Sequence, residues 1–280
     1  MITVKQTGLI LIFFLLMGCE AHQAGSLSLL DESNVKRPVP SFLVDNRKEQ
    51  LIAKYDNKTP TEFGENVSGV YTHFSSSKKE IALTFDACGG SHGNDVDEAL
   101  IAFLKENKLP STLFMNSRWI DQNTALFQEL ARDPLFQIEN HGTHHKPLSV
   151  NGQSAWGISG TASVKEVIEE MKENQSKIEE LTGKKPTLFR SGTAYYDDVA
   201  VQIAQDLGVQ IVNYTILGDA GATYNAQQVN DALLQALPGD IALLHMNQPT
   251  SGTAEGVEKA IPILQKNGYT FVQLHSQNLQ

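Results

Sequence analysis

Apolar and polar positions alternate along the chain in a regular way from about residue 70 onward. Seven runs have the length and content of buried β-strands: 81–85, 111–115, 135–138, 187–189, 209–214, 241–244 and 269–274. Between them, 96–104, 119–130, 199–207, 229–237 and 257–264 carry apolar residues at three- and four-residue spacing, the mark of amphipathic helices. The longest helix is outlined by Val164, Val167, Ile168, Met171, Ile178 and Leu181, and Gly183 closes it. Pro262 falls inside the last helical stretch and predicts a kink there. Strand–helix alternation of this kind predicts parallel strands joined by right-handed crossovers. The expected fold class is α/β, a distorted (β/α) barrel of about seven strands, with an open doubly wound sheet as the alternative.

The pattern does not extend to the N-terminal end. Lys5 is followed by an apolar run from Leu9 to Met17 that is too short to span a bilayer, and then by Gly18 and Cys19. Residues 1–18 are therefore expected to be a lipoprotein signal peptide, with Cys19 lipidated at the new N-terminus. Residues 19–69 are polar, with Pro38, Pro40 and Pro60, and are expected to form a tether with one short helix near 47–55. The barrel domain is expected over 70–280. These features place the protein in the cell envelope, lipid-anchored on the periplasmic side of a bacterial membrane, as a monomer touching the membrane only through Cys19.

Composition narrows the class. The net charge of −10 leaves no basic patch to neutralise phosphates, which excludes nucleic acid as a partner. The chain has 2 cysteines, so with Cys19 committed to an anchor Cys88 has no partner for an internal disulfide. At 280 residues the core needs none.

The chemistry-bearing residues gather where strands end, the rim on which α/β barrels place their active sites. The 81–85 run leads into Asp86, and 135–138 leads through Asn140 into His141 and His145. The 187–189 run leads into Arg190, 209–214 is followed by Asp219, and 241–244 runs into His245. His141 and His145 are four residues apart, a spacing that sets two imidazoles on one face of a turn where they can chelate a divalent metal such as zinc. Each residue alone has an ordinary structural explanation; their common rim points to a catalytic site.

Thr84-Phe85-Asp86, Asn140-His141 through His145, Phe189-Arg190 and Leu243-Leu244-His245 occur in the order of the NodB-type polysaccharide deacetylases, carbohydrate esterase family four. The resemblance covers about residues 78–275. It implies a distorted (β/α) barrel of the NodB-homology type. The implied activity is a hydrolase acting on linear amides, removing acetyl groups from an acetylated polysaccharide such as peptidoglycan or a chitin-like glycan. It implies Asp86 as general base, Arg190 holding it, His245 as general acid with Asp219 orienting it, and one divalent metal, zinc, on His141, His145 and Asp86.

The chain departs from the family at three points. Ala87 replaces the second aspartate of the first motif, an expected metal ligand. The third donor is then Asp86 itself, the preferred reading, or Cys88, or His92 or Asp95 from the glycine-rich loop; Cys88 is otherwise an inert buried thiol. Gly142 stands where serine or threonine is common, and His144 is extra and expected to point away. In the third motif Tyr195 lies further from Arg190 than usual. Trp156, Tyr195 and Tyr196 are candidates to line a sugar groove. The competing reading is a catalytically inactive carbohydrate-binding envelope lipoprotein that lost its metal site.

Overall fold

A computed structural model describes residues 41–280. The expected signal peptide and the anchor Cys19 lie outside the described residues. In chain order the elements are α1 (Ser41–Tyr55), β1 (Phe63–Gly64), β2 (Glu80–Ala87), α2 (Glu98–Glu106), β3 (Ser111–Met115), α3 (Ser117–Gln122), α4 (Thr124–Arg132) and β4 (Phe136–Asn140). There follow α5 (Val164–Thr182), β5 (Leu188–Phe189), β6 (Tyr196–Asp197), α6 (Asp198–Asp206), β7 (Gln210–Ile211), β8 (Ile216–Leu217), α7 (Ala226–Leu233), β9 (Ile241–His245), α8 (Thr253–Lys266) and β10 (Thr270–Phe271).

Seven parallel strands form a curled half-barrel in the order β7-β5-β4-β3-β2-β9-β8, and β10 pairs with the start of β2. The segment from Tyr71 to Phe74 runs between the two ends of the sheet. Tyr71 bridges Val212 beside β7, and His73 bridges Asp240 at the start of β9. The expected α/β barrel class is therefore the observed one.

Strand β2 shows why the chemistry faces inward. Ile81, Leu83, Phe85 and Ala87 pack in the layer between sheet and outer helices, with Leu100, Leu104 and Trp119. The alternate residue Ala82 faces the barrel interior with Phe114, Leu188, Val212 and Ile241. Because side chains alternate with period two, Thr84 and Asp86 also face inward, and Cys88, just past the strand, continues that face. The helices start on side-chain caps that replace missing intrahelical acceptors: Asp97 accepts from the Leu100 N–H, Asp197 from Ala200 and Ser163 from Glu166.

Three expectations change. The helix expected over 119–130 is two helices, broken at Asn123, whose side chain donates to the carbonyls of Asn94 and Trp119. The strand expected over 209–214 is only β7; the chain then crosses to the other end of the sheet and forms β8 beside β9. Val212 and Asn213 leave the ladder where their carbonyls accept from a buried guanidinium, that of Arg190. The compact unit also begins at Ser41, not at residue 70. Leu51 and Tyr55 of α1 are buried with Val167 and Ala200, and Asp206 accepts from Lys54 Nζ at 2.5 Å and the Tyr55 hydroxyl at 2.8 Å. β1 pairs antiparallel with β6. In this stretch the apolar residues are too sparse for a burial pattern to be legible in the sequence. Pro262 is carried inside a continuous α8. No helix among the described residues is long and apolar enough to cross a membrane.

Candidate active site

Arg190, which follows β5, is fully buried and anchors one side of the barrel mouth. Its Nη1 donates to Asp86 Oδ1 and to Thr84 Oγ1, both at 2.9 Å. Its Nε and Nη2 donate to the carbonyls of Val212 at 3.1 Å and Asn213 at 3.0 Å. The guanidinium also lies over the Phe114 ring, 4.2 Å from its centroid. A buried charge whose three guanidinium nitrogens all donate, one of them to a carboxylate, meets the condition under which such a group is tolerated. The result is that Asp86 Oδ1 is fixed, while Oδ2 stands 3.7 Å from His141 Nε2.

The histidine turn after β4 is held from below by α5. Asn140 Oδ1 accepts from Gly142 N–H and from Asn174, while its amide donates to the Met171 carbonyl. Glu170, buried under the turn, accepts from the backbone N–H groups of His144 and Lys146. Burial raises the Glu170 carboxyl to about 7 even though those N–H groups pull the other way. Gly142 has φ +79, and a Cβ there would lie 2.5 Å from Glu170 Oε1, so the glycine in this motif is required by space as well as by backbone. His145 has φ 62 and is turned back so that its ring meets that of His141 edge-on, centroids 4.9 Å apart. His144 is exposed, as expected.

These rings are prepared as ligands. His141 Nδ1 bonds the Arg190 carbonyl at 2.9 Å, which puts the proton on that nitrogen and leaves Nε2 as a lone-pair donor. Burial holds the His141 pKa below the ordinary imidazole range despite the nearby Asp86 charge, so the ring is neutral. His145 Nε2 is buried with no hydrogen-bond partner, and its lone pair is one that a bound cation would satisfy. Cys88 Sγ stands 3.7 Å from His141 Nε2, and the ligand atoms of Cys88, His141 and His145 all lie within 4.8 Å of one another. Burial raises the Cys88 pKa, but the neighbouring His145 and His245 rings lower it more, to about 6. Three donors of the kinds that zinc accepts therefore converge, and the residues fit a divalent metal.

On the other side of the mouth His245 ends β9. Its Nδ1 bonds Asp219 Oδ1 at 2.8 Å, and its backbone N–H donates to Asp219 Oδ2 at 2.7 Å. Asp219, fully buried, also accepts from the Thr253 hydroxyl at 2.8 Å. Burial lowers the His245 pKa, but the Asp219 charge and hydrogen bond outweigh it and hold it well above the ordinary value. With Nδ1 engaged, Nε2 is the position from which His245 can give a proton.

A cleft of about 360 Å³ bordered by Asp86, Trp156, Tyr214, Leu217 and His245 opens over these groups. A second of about 410 Å³, bordered by Cys88, His92, Arg118, His145 and Gln248, shares Trp156 and His245 with it. Trp156 is 73% exposed and meets Tyr195 edge-on at 5.8 Å. Tyr196, expected in the groove, is instead fully buried, accepting from the Ser191 N–H and bonding Asn213. It packs in the core with Phe189, Val199 and Ile211.

Asp86, His141, His145, Arg190, Asp219 and His245 are thus all brought to one mouth. Of the alternatives for the third donor, His92 and Asp95 are both exposed and do not join the histidine pair. Cys88 joins both histidines, where an inert thiol was expected; Asp86, with Oδ1 held by Arg190, brings Oδ2 to 3.7 Å from His141 Nε2 but is not grouped with both rings. Thr84, Thr253 and Glu170 were not foreseen. Each works through contacts with residues far away in sequence, which no local pattern announces.

Residues 74–212 match the model of the polysaccharide deacetylase family, a span that includes Asp86, both histidines and Arg190. The chain is 24% identical over 229 residues to the peptidoglycan-N-acetylmuramic acid deacetylase PdaA of Bacillus subtilis, covering 77% of this chain and 80% of PdaA. The structure of PdaA, a family 4 carbohydrate esterase, is similar with a TM-score of 0.61 at 24% identity over 82% of this chain and 87% of that one. That of the Bc1960 peptidoglycan N-acetylglucosamine deacetylase gives a TM-score of 0.63 at 20% identity over 75% and 92%. BA3943 of Bacillus anthracis, a CE4 family pseudoenzyme, gives 0.59 at 22% identity over 74% and 67%. Motif order, barrel and site geometry agree with these likenesses, and the chain belongs to the polysaccharide deacetylase family of enzymes.

Proposed function

We propose that this protein is a metal-dependent deacetylase that hydrolyses the N-acetyl groups of an N-acetylglucosamine-containing glycan, with peptidoglycan as the substrate class. The observation that carries this reading is the separation of roles across the mouth. Asp86, clamped by Arg190, stands on one side; His245, clamped by Asp219, stands on the other.

His141 and His145 would hold the metal, which when bound supplies Lewis-acid polarisation of the acetyl group. Asp86 Oδ2, left open by the Arg190 contact, takes the proton of the attacking water. His245, protonated, gives a proton from Nε2 to the departing sugar nitrogen, and Asp219 stabilises the imidazolium until it does so. Trp156, exposed at the junction of the two clefts, offers a flat face for a pyranose ring beyond the reacting residue. The anionic surface suits a neutral glycan. An N-terminal lipid anchor at Cys19 would hold the enzyme beside a cell-envelope substrate.

The reading is tested by acetate release from peptidoglycan, chitin oligomers and acetylxylan before and after chelation and zinc reloading. The expected result is release from the N-acetylated glycans, lost on chelation, and lowered by about 10²–10⁴ in Asp86→Asn. Ala87 in place of the second aspartate favours the competing reading, a silent glycan-binding protein. Absence of acetate release from all three substrates after zinc loading would decide for it.

A further inference from the structure

We infer that Cys88 has taken the place of the family's second carboxylate as the third protein ligand of the metal, leaving Asp86 outside the coordination sphere. The inference rests on the deacetylase reading above and specifies its metal centre.

Three observations point the same way. The first is the backbone. Ala87 faces the helix layer, where it packs with Trp119 and Met115, so that position cannot deliver a donor to the mouth. Period two returns the chain to the inner face at Cys88, and the glycine pair behind it, Gly89 and Gly90, both at positive φ, turns the chain away directly afterwards. The second is distance. Zinc–sulfur and zinc–nitrogen bonds of about 2.3 and 2.0–2.1 Å at a tetrahedral angle put the two donor atoms about 3.6 Å apart. Cys88 Sγ and His141 Nε2 are 3.7 Å apart without any metal to draw them in. The third is the fate of the carboxylate. Asp86 Oδ1 belongs to Arg190, and Oδ2, although it stands 3.7 Å from His141 Nε2 as Cys88 Sγ does, does not reach His145 to complete the three-donor group that Cys88 completes.

The exchange conserves charge, since a thiolate carries the same single negative charge as the carboxylate it replaces. It changes hardness. A sulfur donor beside two imidazoles discriminates against magnesium, calcium and manganese and favours zinc or cobalt. It also frees Asp86 from serving as both ligand and base, because its open oxygen is no longer needed on the metal. Three protein donors are the number that a catalytic zinc takes.

The test uses the purified full chain stripped by chelation and reloaded with Co²⁺ or Zn²⁺. Wild-type protein with cobalt should show a thiolate-to-cobalt charge-transfer absorption in the near ultraviolet. Cys88→Ala and Cys88→Asp should lack that band. In Cys88→Ala zinc affinity should fall by about a hundredfold or more. In Cys88→Asp, which restores a carboxylate, cobalt should bind without the band. Millimolar Mg²⁺ should fail to compete with Zn²⁺ for the wild-type site. Binding of one cobalt by the wild type with no charge-transfer band, and equal zinc affinity in Cys88→Ala, would overturn the assignment while leaving the deacetylase reading intact. A wild-type site that takes up neither metal and a protein that releases no acetate would overturn both.

Discussion

The Asp219 carboxylate accepts hydrogen bonds from the His245 ring, the His245 backbone and the Thr253 hydroxyl, each spanning a long stretch of chain. Burial raises its pKa, yet the His245 charge and these hydrogen bonds lower it further, so it is the ionised partner of a protonated imidazole. Asp219→Asn keeps the shape and removes the charge. His245 should then lose its proton at lower pH, moving the alkaline limb of kcat/KM toward acid and reducing kcat/KM about tenfold or more. An unmoved limb would show that His245 is not the proton donor. At the same scale, Gly142→Ser meets both a positive φ and Glu170 Oε1. The expected outcome is a loss of more than about 1 kcal/mol in urea unfolding, together with weaker metal binding, because the same turn carries His145.

Among the elements, β2 concentrates the logic of the site. One face of the strand supplies core to the outer helices; the other presents Thr84, Asp86 and then Cys88 to the mouth. The register places Asp86 level with His245 on β9 and with Phe114 on β3, so base and acid come from adjacent strands. Helix α1 carries a different consequence. Leu51 is 7% exposed and packs against α5 and α6, where a tether would leave it in water. Leu51→Ala should cost about 2–3 kcal/mol of unfolding free energy if α1 belongs to the folded unit, and nothing measurable if it does not. Chemical denaturation of the two proteins side by side gives the answer.

For the molecule as a whole, stability should carry a signature of Glu139. This carboxylate, buried at the bottom of the β4–β5 pair, accepts from Gln137 and from the backbone N–H groups of Thr187 and Leu188. Burial raises its pKa to about 7, against the pull of those donors. The folded value lies above the unfolded one, so the favourable contribution of the protonated form is complete below about pH 4.5 and is lost as pH rises through about 7. Glu139→Gln does not titrate. Its unfolding free energy relative to wild type should therefore move in its favour by about 3 kcal/mol between pH 4.5 and pH 8, read from paired denaturation curves. A flat difference would mean that the carboxylate ionises in the folded state without penalty.

The sequence by itself determined the alternation of strands and helices, hence a parallel α/β barrel, and the set of residues delivered to its rim. Both follow from local rules: the period of apolar burial names the element, and the residue that ends a strand in such a barrel faces the mouth. Asp86, His141, His145, Arg190 and His245 were legible for that reason. Tertiary structure decided the rest. The family resemblance named Asp219 as the partner of His245, but local pattern could not show how it gets there: β8 returns to pair with β9 at the far end of the sheet. Residues from Ser41 onward joined the fold through scattered contacts that leave no periodic trace. Cys88 was drawn into the histidine pair because the last turn of β2 points its thiol at a ring contributed 53 residues later. Period reports which face a residue occupies, but which partner waits on that face depends on chain closure over long separations.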